Sequence, residues 1–184
     1  AHSRDSKFLV TASADCTVIL WDLNNGKKLR EIPVSYQANV CAVSDDSDVI
    51  ATTSTEDFVH MWEAKSCDPL VNFQRHSASI FSLGFSRRGQ LFASGSTNGE
   101  IFVWNHATGD VRFLFARHRT PVLAVSFSQD GQRLVSIDRE SVRMWDLFTG
   151  HCIFCRDTKG KIIVGSDDVE EREQINHDDS VRFT

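Results

Sequence analysis

The sequence predicts an all-β protein in which small antiparallel sheets, each of four short strands, stand side by side around a common axis. Three observations predict it. The four tryptophans, Trp21, Trp62, Trp104 and Trp145, are separated by 41, 42 and 41 residues, and a fixed interval of that size is the signature of a repeat architecture. Each tryptophan closes an extended run in which apolar and polar residues alternate, as in GEIFVWNHATGD at 99–110, and polar turn residues follow at once. No stretch carries its apolar residues at helical spacing.

Alignment on the tryptophans justifies each strand in turn. Before Trp21 stands KFLVTASADCTVILWD, before Trp62 DVIATTSTEDFVHMWE, before Trp104 QLFASGSTNGEIFVWN, and before Trp145 QRLVSIDRESVRMWD, one residue shorter in its turn. Each reads as a short apolar strand, a small polar turn and an alternating strand. Upstream lie SASIFSLGFSRRG and TPVLAVSFSQDG, one repeat apart, and downstream of the tryptophans come KKLREI, PLVNF, VRFLFA and HCIFC. Each period therefore holds four strands. A lone four-stranded sheet cannot bury both faces, so neighbouring repeats must cover one another in a radial array.

Composition narrows the function classes. The chain of 184 residues is 41% hydrophobic and 24% charged, ordinary values for a globular domain. No apolar stretch approaches the length of a membrane span, which argues against a membrane partner. The N-terminus lacks the charged-then-apolar order of a signal peptide. Five cysteines, an odd number, fit reduced thiols of the cytosol or nucleus. Residues 167–179, DDVEEREQINHDD, carry seven acids and one arginine, so −6 against −5 for the whole chain. The remainder is near neutral, which argues against a nucleic-acid-binding face spread over the domain.

At this point the chain resembles the WD40-repeat β-propeller family. The residues that carry the resemblance are Trp21-Asp22, Trp62-Glu63, Trp104-Asn105 and Trp145-Asp146, with His76 and His118 fourteen residues after the preceding tryptophans. These histidines follow Arg75 and Arg117 where the family usually has glycine. The resemblance covers residues 1–155 and implies four-stranded antiparallel blades in an incomplete ring of about four. Residues 156–184 are expected to be an acidic insertion or the start of a further blade. The match begins part-way through a repeat, and rings of this family usually close with about seven or eight blades. The expectation is a piece of a longer chain, or a ring completed by further blades or by a second copy.

The resemblance also implies a role for the tryptophan. In the family it closes a hydrogen-bonded tetrad of His, Ser or Thr, Asp and Trp that ties a blade together. Carried over by position, the third blade has His76, Ser94 and Trp104, with Asn98 in the acid slot. The fourth has His118, Ser136 and Trp145, with Asp138 or Glu140 as the acid. The first has Thr11, Asp15 and Trp21. The second has Thr52, Glu56 and Trp62, and Val34 falls where the histidine belongs. On this reading no blade keeps a complete, unambiguous tetrad.

Several patterns have the residue types of reactive sites. His118, Ser136 and Asp138 have the residue types of a hydrolase triad. The His/Ser pair recurs at His76 and Ser94, however, and an active site need not be stamped into successive repeats. Cys152 and Cys155 have C-x-x-C spacing, but a zinc site wants a second ligand pair that the sequence lacks. GKIIVGS has no Gly-Lys-Ser/Thr order before a helix. No metal or other cofactor is expected.

Function is therefore expected on a surface. In the family, partners dock on the rim where the inner strands begin. By alignment the rim residues are Gln37, Asn39 and Thr55 in the second blade, Ser79, Phe81 and Thr97 in the third, and Pro121, Leu123 and Arg139 in the fourth. Phe81, Pro121 and Leu123 beside Arg139 have the composition of a protein-binding hot spot. Alternatively, Phe81 and Leu123 pack inward between blades. The resemblance implies a non-enzymatic scaffold or sensor that binds other proteins. The alternatives are the propeller of an apoptosome-type signalling ATPase and a ribonucleoprotein subunit. A propeller enzyme is disfavoured because the inner strands SIFSLGFS and VLAVSFS carry no carboxylate.

Overall fold

The repeat appears as four sheets in a row. The computed structural model describes residues 1–54, 57–87, 90–157, 159 and 161–162. The first sheet is β1 (Phe8–Ser13), β2 (Thr17–Asp22) and β3 (Lys28–Pro33). The second is β4 (Ala38–Val43), β5 (Val49–Ser54), β6 (Phe58–Glu63) and β7 (Pro69–Gln74). The third is β8 (Ile80–Phe85), β9 (Leu91–Ser96), β10 (Ile101–Asn105) and β11 (Val111–Phe115). The fourth is β12 (Ala124–Phe127), β13 (Arg133–Ile137), β14 (Ser141–Asp146) and β15 (Cys152–Asp157). Every sheet is a meander of antiparallel neighbours in chain order. β4, β8 and β12 are the inner strands and adjoin one another, and the first sheet is not joined to the last, so the arc is open.

The first sheet holds three strands. Inside β1 only an isolated bridge forms, between His2 and Leu9. A turn lies between this bridge and β1, with the Ser6 amide donating to the Ser3 carbonyl at 3.1 Å. At the far end β15 runs to Asp157, two residues past the boundary expected from sequence. The choice between an acidic insertion and a further blade falls on residues 163–184, outside the described residues.

Two local devices repeat with the tryptophans. Ser3, Ser44, Ser86 and Ser128 each open the turn before the second strand of their blade. Their hydroxyls accept the amides of Phe8, Val49, Leu91 and Arg133 at 3.0, 2.9, 3.2 and 2.9 Å. After the tryptophan, the side chains of Asp22, Asn105 and Asp146 accept the amides of Asn24, Ala107 and Phe148 at 2.7, 3.0 and 2.9 Å. A short polar side chain can fold back on its own turn in this way, which explains the acid or amide that follows tryptophan. These turns end in the left-handed region, at Gly26, Gly109 and Gly150 and, in the second blade, at Cys67 with φ of 65°.

The core lies between blades. Three apolar clusters fill the three interfaces. Val10, Val18 and Ile50 lie in the first, Met61, Phe92 and Trp104 in the second, and Ile101, Leu134 and Trp145 in the third. Each buried indole stacks on a phenylalanine from the outermost strand of the preceding blade. Phe73 and Trp104 have centroids 5.3 Å apart, and Phe115 and Trp145 4.2 Å. Such a pair is worth about 0.5–1.5 kcal/mol beyond its buried area. Gly99, at φ of 88°, packs against the His118 backbone so closely that an added methyl would collide with the carbonyl oxygen. The third and fourth blades are therefore locked together by backbone as well as by side chains.

Candidate functional site

The fourth blade brings all four residue types of the tetrad together. The Trp145 indole N–H donates to Ser136 Oγ at 2.8 Å, and the Ser136 hydroxyl is 2.6 Å from His118 Nε2. His118 Nδ1 lies 3.1 Å from Asp138 Oδ2, close but poorly aligned, and 3.4 Å from Ser141 Oγ. Asp138 rather than Glu140 is the acid. The shortened turn brings it to the histidine, and its other oxygen accepts the Glu140 and Ser141 amides at 2.9 and 2.5 Å and the Ser141 hydroxyl at 3.0 Å. Burial opposes its charge. These donors and His118 outweigh burial and hold the carboxyl down at about 2. Burial lowers the pKa of His118, against the pull of Asp138. All four residue types meet in this blade, but the His118–Asp138 link is a contact of charge and proximity, since Asp138 Oδ2 has no hydrogen-bond partner among the described residues.

The third blade repeats three of the four contacts. Trp104 Nε1 donates to Ser94 Oγ at 2.9 Å, and His76 Nε2 lies 2.7 Å from the same oxygen. Asn98, in the acid slot, does not reach His76. It accepts from the Ser96 hydroxyl and the Glu100 amide and donates to Ser77 Oγ at 2.9 Å. The longer turn keeps it at the surface. His76 Nδ1 is buried with no hydrogen-bond partner among the described residues, and the ring meets the edge of Phe102 instead. Burial pushes the pKa of His76 down to about 4.

The first two blades keep less. Trp21 donates to Thr11 Oγ1 and Trp62 to Thr52 Oγ1, both at 2.9 Å. Asp15 caps its own turn, accepting from the Thr17 amide at 3.1 Å and the Thr17 hydroxyl at 2.6 Å. Glu56 lies outside the described residues. Val34 is a core residue, and Tyr36 does the work expected at that slot: its hydroxyl is 2.9 Å from Thr52 Oγ1. The ring stacks on His60 with centroids 4.3 Å apart, and burial raises the phenol pKa to about 12. The alignment missed Tyr36 because a phenol two positions along the chain reaches as far as an imidazole. The only signal was an unpaired aromatic alcohol near the slot.

This network is a rivet. Ser136 is fully buried and its oxygen already holds Trp145 and His118, so no substrate carbonyl can approach it, although the residue order suits a nucleophile. Among the described residues no cluster of His, Cys, Asp or Glu is disposed to hold a metal ion.

The rim has a different character. In the second and third blades the pairing of the first two strands slips by one residue, so Asn39 and Phe81 are unpaired bulge residues. Leu123 occupies the same place in the fourth blade, where its amide meets the Ile137 carbonyl at 2.8 Å. A bulge turns one side chain away from the alternation of its strand. Phe81 and Leu123 are 46% and 45% exposed, one blade apart on adjoining inner strands. Gln37, Asn39 and Arg139 are exposed, and Ser79, Thr97 and Pro121 half-buried. Thr55 is outside the described residues. Ile137, 38% exposed beside Leu123, extends the apolar patch and was not anticipated.

With this geometry in hand, comparison with known proteins is informative. The sequence model of the family described as Nucleolar protein 10-like, N-terminal domain, matches residues 1–176. The chain belongs to this family. It is 30% identical over 104 residues to the human U3 small nucleolar RNA-interacting protein 2, covering 49% of this chain and 22% of that protein. It is 28% identical over 94 residues to Pre-mRNA-processing factor 19 homolog 2 of Arabidopsis thaliana, covering 48% of this chain and 18% of that protein. The crystal structure of RRP9 WD40 repeats superposes with a TM-score of 0.76 at 25% identity, over 83% of this chain and 48% of that one. The structure of U3-55K superposes at 0.78 and 24% identity, over 85% and 50%. The chain is a WD40 β-propeller segment. It spans about a fifth of the length of these curated relatives and half that of the solved propellers.

Proposed function

We propose that this segment is a non-enzymatic protein-docking part of a nucleolar ribonucleoprotein assembly, and that it engages its partner through the rim around Phe81 and Leu123. The observation that carries the reading is the bulge at the start of the inner strands. It turns Phe81 outward and Leu123 holds the equivalent place, although each follows a fully buried residue, Ile80 or Val122. Burying two large apolar side chains of this kind is the usual source of a hot spot. Pro121 and Ile137 widen the apolar surface, and Arg139 supplies a cation at its border. The setting is supported by the nucleolar description of the family and by relatives named for U3 small nucleolar RNA and pre-mRNA processing. Those names favour it over a signalling ATPase. The net charge of the chain favours protein over RNA as the surface in direct contact.

The test is the double substitution Phe81→Ser/Leu123→Ser in the full-length protein. Affinity capture from nuclear extract, quantified for ribonucleoprotein components, should fall by about tenfold or more, with the melting temperature unchanged. Capture at the wild-type level would remove the rim from the reading. Loss of RNA from the captured complex while every protein remains would assign the surface to RNA instead.

A further inference from the structure

We infer that the face opposite this rim carries a second docking site, the groove between the third and fourth blades, and that it takes an extended peptide bearing a carboxylate beside a large apolar side chain. The groove encloses about 450 Å³. The third blade contributes Gln90, Leu91 and Arg112, and the fourth Gln132, Leu147 and Phe148. It opens beside the start of β9, the start of β13 and the turn before β15, at the other end of the strands from Phe81 and Leu123.

Phe148 is the first pointer. It is 90% exposed, the highest value among the exposed large apolar side chains of the described residues. It is not loose: its amide is held by Asp146 Oδ1 at 2.9 Å, in a turn closed by the Gly150 amide on the Asp146 carbonyl at 2.8 Å. Nor does the turn need an aromatic, since the equivalent positions are Asn24, Lys65 and Ala107. A rigidly presented phenylalanine that folding does not require is a ready contact for an apolar partner side chain.

Arg112 is the second. It is the extra residue of a bulge opposite Trp104, exposed and in no ion pair among the described residues. Among the described residues no carboxylate lines the groove, and the side-chain amide of Gln132 is unengaged. The corresponding groove between the first two blades, about 550 Å³, is lined instead by Asp5, Asp46 and Asp48 beside Lys7, Arg30 and Lys65. There Lys7 is paired with Asp5 and Lys65 with Asp48, both at 2.9 Å. The groove between the third and fourth blades thus holds a cation without a compensating acid beside an exposed aromatic ring, and the complement is an acidic, apolar peptide.

The experiment uses short fluorescein-labelled peptides of alternating Asp and Leu, with controls in which Asn replaces Asp or Ser replaces Leu. Fluorescence anisotropy is read on the full chain and on Phe148→Ser, Arg112→Glu and the rim double variant. The Asp/Leu peptide should bind saturably below about 1 mM, both controls should bind weakly, and each groove substitution should weaken binding by about tenfold. The rim variant should bind like the wild type, which separates this site from the rim. No saturable binding of the Asp/Leu peptide, unchanged binding to Phe148→Ser or to Arg112→Glu, or loss in the rim variant would each overturn the inference.

Discussion

The third and fourth blades carry the same Trp–Ser–His arrangement and differ at one nitrogen. In the fourth, His118 Nδ1 faces the Asp138 carboxylate 3.1 Å away. In the third, His76 Nδ1 is buried without a partner among the described residues. The difference comes from the turn between the second and third strands, which is one residue shorter in the fourth blade and puts the acid beside the histidine. A buried polar atom left unmatched costs about 1–3 kcal/mol. The third blade bears that cost and is held by apolar packing around Trp104, Phe92 and Phe102 instead. A buried histidine–carboxylate contact and aromatic packing are therefore alternative ways of pinning the same strand pair, and one chain uses both.

The largest expected effect breaks the fourth blade. Asp138→Ala removes the acceptor for two amides and a hydroxyl and uncovers His118, so it should cost about 3 kcal/mol in chemical denaturation. A cost below about 1 kcal/mol would mean that the acid is not part of the rivet.

A second prediction separates the blades by pH. The pKa of His76 lies near 4 in the folded chain against an ordinary 6.5. Above 6.5 the ring is neutral whether folded or not. As pH falls from 6.5 toward 4, the unfolded chain takes up a proton that buried His76 refuses, and stability drops by up to about 3 kcal/mol. His118 shifts the same way, but Asp138 works against the shift. His76→Phe should therefore flatten the acid limb of the stability profile more than His118→Phe does. Equal flattening would erase the distinction between the two sites.

The smallest effect tests the acid slot itself. Asn98→Asp restores the family residue, yet Asn98 faces Ser96, Ser77 and Glu100. Stability should change by less than about 0.5 kcal/mol. A gain of more than about 1 kcal/mol would show that a carboxylate there does reach His76.

Much of this was legible in the residues. The interval of the tryptophans set blade number and order, and position-by-position transfer found both Ser–His pairs. It misjudged partners wherever loop length intervened. Asp138 stood level with Glu140, Asn98 filled a slot from which it cannot reach inward, and Tyr36 was overlooked behind Val34. Each miss is a matter of where a turn places a side chain, which spacing along the chain does not encode. The exposure of Phe81 and Leu123 was open for the same reason: strand alternation allows either face, and the bulge that turns Phe81 outward exists only once two strands have paired.

By itself, then, the sequence determined the repeat: strand length, turn chemistry and indole spacing are local properties, written in alternation, in serines and acids at fixed offsets, and in glycines at turn ends. Tertiary structure alone decided which blade closes its hydrogen bonds, which aromatic rings are covered, and where a cation stands without an acid. Those depend on strand register and on the meeting of neighbouring blades, where a shift of one residue exchanges a buried face for an exposed one.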